Sequence, residues 1–198
     1  MTMFSSVRHP VRTTIVTGLA ALAVAAFPAG SAVGGAPDTT AARPSAECAT
    51  GWGSLPEATK TLRWATVENI RTGRHACFDR LVVDLAGPAT AYQVYYVPTV
   101  YQEGSGDPIP ARGGATLRID VEAPAYDDAG RPTYPLKSLR EVSNVSGYDT
   151  FRQVAWAGSF EGRTTLALGV RARLPFRTHL LTGPGNAHRL VVDVAHRW

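Results

Sequence analysis

The side chains able to do chemistry in this sequence are few, and three of them sit close together: His75, Asp79 and Arg80. Arginine offers a planar, two-pronged donor suited to a carboxylate on a glycan or peptide. With the imidazole and carboxyl group beside it, the set can form a polar patch that holds such a ligand. The same residues can instead shape the connection they occupy, Asp79 accepting backbone amides and His75 capping the turn. Tyrosines supply a second candidate. Tyr92 and Tyr96 share a strand face with Val94 and are expected in the core, whereas Tyr95 points the other way and Tyr101 opens a long loop. Those two can present rings for stacking on sugars. Trp52, Trp64, Trp156 and Trp198 are read first as packing residues.

A search for catalysis finds little. The sequence has no Gly-x-Ser-x-Gly elbow, His-Glu-x-x-His pair, P-loop or dinucleotide fingerprint. A triad drawn from Ser105, His75 and Asp79 lacks a nucleophile context. The nearest metal set is His188, Asp193 and His196, but the two histidines stand about 27 Å apart on an extended strand. No cofactor and no metal are expected, and the chain is read as a non-enzyme. Cys48 and Cys77 are its two cysteines, and in an oxidising compartment they are expected to form one disulfide. Closing that loop stabilises the fold by roughly 3–4 kcal/mol in the chain-entropy model.

These residues need a scaffold, and the pattern for one begins after an address. Met1–Arg12 carries Arg8 and Arg12 without an acid, and Thr13–Phe27 is uncharged and apolar. Residues 1–32 therefore read as a secretory signal peptide, cleaved after Ala32 or Ala36 or kept as an anchor. Without them the 20 basic and 16 acidic residues become 18 and 16, and a net charge of +4 becomes +2. An excess that small, with no Lys/Arg cluster, excludes a nucleic-acid footprint. The densest patch, Arg171, Arg173 and Arg177, is interrupted by Leu174-Pro175-Phe176. Residues 33–47 are mostly Ala, Pro, Gly and Thr with almost no large apolar group, and are expected to be a flexible arm.

From residue 48 to 198 the texture is that of one all-β domain with its core from about residue 60. Eight strands are expected: Arg63–Arg71, Arg80–Leu85, Tyr92–Val97, Ala115–Val121, Val154–Phe160, Thr164–Val170, Phe176–Leu181 and Arg189–Ala195. Gly- and Pro-rich turns separate them, so a mostly antiparallel β-sandwich is predicted, with a barrel as the alternative. Leu136–Val142 alone looks helical, and Thr99–Arg112 reads as a long loop. The run Arg80-Leu81-Val82-Val83-Asp84 recurs as Arg189-Leu190-Val191-Val192-Asp193, 189 − 80 = 109 residues on, which fits two pseudo-symmetric halves. Leu81, Val83 and Leu85 share one strand face there; Arg80 and Asp84 share the other, where they can pair or reach a neighbouring strand.

The run Gly73-Arg74-His75-Ala76-Cys77-Phe78-Asp79-Arg80-Leu81-Val82-Val83-Asp84-Leu85 is followed by Gly104-Ser105-Gly106, Gly158-Ser159-Phe160-Glu161-Gly162, Gly169-Val170-Arg171 and Pro175-Phe176-Arg177. It closes on Arg189-Leu190-Val191-Val192-Asp193-Val194-Ala195-His196. Together these resemble the AMIN-like domain of secreted actinobacterial proteins, related to the AMIN domain of N-acetylmuramoyl-L-alanine amidases. The resemblance, over about residues 60 to 198, implies a non-catalytic β-sandwich that targets the envelope, with peptidoglycan as ligand. The expectation is a secreted binding module for peptidoglycan or a wall-associated protein, with no stable membrane insertion after signal cleavage. Its candidate ligand residues are His75, Asp79, Arg80, Tyr95 and Tyr101. A small-molecule or lipid carrier of barrel type and a cell-wall hydrolase are the rival classes.

Overall fold

Period-2 alternation of apolar residues puts one face of each strand inside, and two such faces stack into a sandwich. The computed structural model describes Cys48 and residues 51–198; the signal peptide and the arm read from the sequence lie outside the described residues. The strands are β1 (Glu57–Thr59), β2 (Thr66–Arg74), β3 (Phe78–Ala86), β4 (Tyr92–Val97), β5 (Val100–Tyr101) and β6 (Pro108–Ile109). They continue with β7 (Ala115–Val121), β8 (Phe151–Phe160), β9 (Arg163–Val170), β10 (Phe176–Thr182) and β11 (His188–Ala195). All pairings are antiparallel, in a five-stranded sheet β1-β4-β7-β9-β8, a four-stranded sheet β10-β11-β3-β2 and a small hairpin β5-β6.

The eight expected strands are all present, and the core follows their alternation. Leu81, Val83 and Leu85 of β3 and Leu190, Val192 and Val194 of β11 face Leu117 and Ile119 of β7 and Leu166 and Leu168 of β9 in one cluster. Phe151 and Phe176 are its largest fully buried side chains. Both sheets keep open edges, so the barrel alternative is corrected to a sandwich. A smaller cluster, Val100, Ala155, Ala157 and Ala167, lies under β5 and β6 on the outer face of the five-stranded sheet.

Three local expectations change. Leu136–Val142 is irregular, not helical: it lies along the edge of β8, where Trp156 N–H donates to the Leu139 carbonyl (2.7 Å) and Val142 N–H to that of Val154 (2.9 Å). The long loop Thr99–Arg112 contains the β5–β6 hairpin. Trp64 and Trp198 are exposed, at 65% and 69%, and are not core packing residues. Among the described residues no helix is long and apolar enough to cross a membrane.

The sequence echo resolves into the four-stranded sheet. The β2–β3 and β10–β11 hairpins meet through β3 and β11, whose register pairs Arg80 with Asp193, Val82 with Val191 and Asp84 with Arg189. The pseudo-symmetric units are thus two hairpins of one sheet, not the two sheets of the sandwich.

Candidate functional site

Asp79 and Arg80 are adjacent in β3 and so face opposite ways. Asp79 points inward and is fully buried. Its Oδ2 accepts the N–H groups of Thr150 (2.6 Å) and Phe151 (2.9 Å), and its Oδ1 lies 3.2 Å from His196 Nε2. The carboxyl group therefore clamps the start of β8 to β3 and the segment after β11. It has no exposed surface for a ligand and can only hold others in place.

Arg80 points outward into a charged row that crosses three strands. Its Nε and Nη2 donate to Asp193 Oδ1 (2.6 Å) and Oδ2 (2.9 Å), and Arg177 Nε on β10 donates to the same Oδ2 (3.1 Å). The Asp193 side chain is fully enclosed between the two guanidinium groups. Hydrogen bonding to Asp193 raises the Arg80 guanidinium above its ordinary value against the opposing effect of burial.

Aromatic rings roof this row. Arg177 Cζ lies 4.0 Å from the centre of the Trp52 ring and Arg80 Cζ 5.1 Å from that of Phe78, distances at which a cation is attracted by the ring face. His75, exposed in the β2–β3 turn, stacks on Phe78 at 4.5 Å and 20°. Trp52 is brought here by the Cys48–Cys77 disulfide and by Phe176 N–H donating to the Gly53 carbonyl (2.8 Å). The expected disulfide is thus formed, and it staples the segment after Cys48 to the end of the sandwich.

More arginines converge on the same end. Arg74 at the end of β2 pairs with Asp149 (3.3 Å). Arg171 and Arg173 leave the β9–β10 connection, the first donating to the His196 carbonyl and the second to Ser54 Oγ (3.2 Å) and Ser54 O (3.0 Å). Trp198 Nε1–H donates to the Arg173 carbonyl (3.1 Å). With Arg197, which follows His196 in the chain, Arg74, Arg80, Arg171, Arg173 and Arg177 gather with Asp79, Asp149 and Asp193 at one end of the molecule. Asp79, Asp149 and His196 offer ligand atoms within 4.8 Å of one another. Two backbone N–H groups and Arg74 already engage the carboxylates, so the group is a hydrogen-bonded network tied to Arg74. His188 sits at the far end of β11 from His196, beside the Gly87 carbonyl (3.0 Å).

Tyr95 and Tyr101 lie elsewhere. Tyr95 is on the outer face of the five-stranded sheet, its hydroxyl 3.5 Å from Asp120 Oδ2, next to a network in which Arg118 joins Asp120 and Glu103. Burial first, and then the Asp120 charge, raises its phenol above the ordinary value. Tyr101 is exposed on β5. The structure therefore gathers His75, Asp79 and Arg80 at one end and leaves Tyr95 on the five-stranded sheet and Tyr101 on the β5–β6 hairpin. Ser105 lies in the β5–β6 turn, where it accepts Asp107 N–H (3.3 Å), in a different part of the fold from His75. Trp52, Phe78, Arg173 and His196 join the site without a strong sequence signal; the Arg171/Arg173/Arg177 spacing was the one available hint.

An AMIN-like domain model matches residues 65–196. No curated protein and no solved structure matches. The match takes in both hairpins of the four-stranded sheet, the Arg80–Asp193 row and His196, and over two thirds of its length the chain belongs to the AMIN-like domain family.

Proposed function

We propose that the chain is an exported, non-catalytic module that attaches to the cell envelope by binding peptidoglycan through its arginine- and aromatic-rich end. Residues 1–32 act as the export signal, and residues 33–47 connect it to the domain. Family membership points to a peptidoglycan-related, non-catalytic module, and together with the disulfide to an extracytoplasmic location. The observation that carries the proposal is the gathering of six arginines with Trp52, Phe78, His75 and Trp198 at one stapled end. Arginine forks suit carboxylates, and exposed rings suit the C–H faces of sugars.

Co-sedimentation of the purified chain with isolated sacculi tests this. Saturable binding is expected, with no clearing in a zymogram on wall material. Absence of binding beside a functioning wall-binding control overturns the peptidoglycan reading, and clearing overturns the non-catalytic one.

A second reading, attachment to a wall-associated protein, is favoured by one feature away from that end. A groove of about 420 Å³ beside β8 is lined by Pro108, Ile109, Leu139, Trp156 and Phe160, of which Leu139 and Phe160 are exposed at 63% and 49%. Deleting the arginine contacts leaves attachment by this route intact, which separates the two readings.

A further inference from the structure

Five of the arginines at the stapled end fall into two groups. From this division we infer that the ligand is held by an oxyanion carried on a sugar, bound in the depression between Arg173 and the Gly113–Gly114 turn. This rests on the wall-binding reading and names the chemistry of its site.

Arg74, Arg80 and Arg177 each have a carboxylate partner. Arg171 and Arg173 meet no carboxylate among the described residues: their partners are the His196 carbonyl and the Ser54 hydroxyl and carbonyl. Both side chains belong to exposed residues. The Arg173 guanidinium is nevertheless fixed. Its Cζ lies 4.9 Å from the centre of the Tyr96 ring, and the Tyr96 hydroxyl is tied to Leu174, donating to its carbonyl (2.8 Å) and accepting its N–H (3.0 Å). A guanidinium carries five N–H donors. Two of them go to Ser54, so the remaining donors stand in a defined plane with nothing of opposite charge to receive them.

Beside this plane lies a depression of about 420 Å³, lined by Tyr96, Val97, Pro98, Thr116, Arg173 and the glycine turn. The volume falls among small-ligand sites, and no acidic residue lines it. Its far wall is bare backbone by necessity. Gly113 has φ +128°, and a Cβ at Gly113 or Gly114 would collide with the carbonyl oxygens of Val170 or Arg171. The exposed Trp198 ring is anchored next to Arg173 through its indole N–H. A sugar ring with an anionic substituent meets three features of this lining: the Tyr96 side chain, an uncluttered wall and a guanidinium fork already held in place. A peptidoglycan carboxylate and the phosphate of a wall polymer share this chemistry.

The test uses the purified chain and its variants Arg173→Ala, Arg173→Lys and, as a charge control remote from the site, Lys137→Ala, each verified as folded by near-UV circular dichroism. Binding is measured to untreated sacculi, to sacculi freed of phosphodiester-linked polymers by hydrofluoric acid, and to sacculi with amidated carboxylates. N-acetylmuramic acid and N-acetylglucosamine 6-phosphate are titrated separately, against N-acetylglucosamine, while the Trp198 indole N–H and Arg173 Nε–H NMR signals are followed. The expected result is a loss of about tenfold or more for Arg173→Ala and a smaller loss for Arg173→Lys, with Lys137→Ala within about twofold of the parent. One of the two treatments removes binding and identifies the oxyanion source, and only the acidic sugars shift the two signals. Binding to sacculi that is unaffected by Arg173→Ala, with no shift from either acidic sugar, overturns the inference and leaves wall binding standing. Shifts without sacculus binding overturn wall binding and leave the oxyanion site standing; failure of both assays overturns both.

Discussion

Arg80 and Asp193 face each other across β3 and β11 and come from two copies of one sequence motif. The antiparallel register is centred on Val82 and Val191, so the motif pairs with itself and offers two equivalent ion pairs, Arg80–Asp193 and Arg189–Asp84. The first is made, at 2.6 and 2.9 Å. The second is not: Asp84 is taken by Arg71 (2.9 and 3.0 Å) and Asn69 (3.2 Å), while Arg189 Nε is buried without a partner. A symmetric backbone has thus been given asymmetric electrostatics, and the charge row closes only at the stapled end.

Asp193 serves two guanidinium groups, so its removal should cost more than removal of either. Asp193→Ala leaves Arg80 and Arg177 facing each other; both are partly exposed and can recover some hydration. A loss of about 2 kcal/mol is expected for Asp193→Ala and about 1 kcal/mol for Arg80→Ala. Urea unfolding of the single and double variants measures this. Equal losses for the two single variants would contradict the shared-carboxylate geometry.

The clamp at Asp79 predicts an order of severity. Both backbone donors reach the same oxygen, Oδ2, so an asparagine that keeps its carbonyl there retains them and gives up the charge and the Oδ1 acceptor beside His196 Nε2. Alanine leaves the Thr150 and Phe151 N–H groups buried and unpaired. Asp79→Ala is therefore expected to cost about 3–4 kcal/mol and Asp79→Asn about 1 kcal/mol. Denaturant midpoints read the difference, and a variant pair with the same midpoint would show that the amides are satisfied in another way.

The strands were legible because each carries enough alternation to mark an inner and an outer face. β1, β5 and β6 were not, since two or three residues hold no period and their pairing is decided by the sheets they meet. Leu136–Val142 has helix-like apolar spacing, but the open edge of β8 supplies partners for its backbone and wins. The site was hidden for a related reason. Leu174-Pro175-Phe176 seemed to break up Arg171, Arg173 and Arg177, yet folding buries those three residues and leaves the arginines on the surface. Arg74 and Arg80 come from about a hundred positions earlier and arrive through the β3–β11 pairing, which local sequence does not announce.

Reducing the disulfide should affect stability and binding together. The bridge spans a sequence separation of 29, for which loop-closure entropy gives about 3.5 kcal/mol. It also tethers the segment whose Ser54 orients Arg173 and whose Trp52 covers Arg177. A Cys48→Ser/Cys77→Ser variant is expected to unfold at lower urea concentration and, under conditions where it remains folded, to bind sacculi more weakly. Retained affinity in the folded variant would mean that Ser54 stays in place without the bridge.

Stability should fall on the alkaline side. Burial raises the Tyr96 phenol above its ordinary value of 10.0, more than the Leu174 N–H and the Arg173 charge lower it; burial likewise raises Tyr95 and Tyr134. The folded chain then keeps phenol protons that the unfolded chain has already released. The stabilisation is complete below pH 10.0, the unfolded value, and is lost as pH rises through the higher folded values. Urea midpoints between about pH 9 and about pH 11 should therefore decline. Tyr96→Phe removes one titrating group and also two hydrogen bonds to Leu174, so it starts from lower stability near neutrality and declines less steeply. A variant slope equal to that of the parent would show that the Tyr96 phenol titrates alike in the folded and unfolded chain.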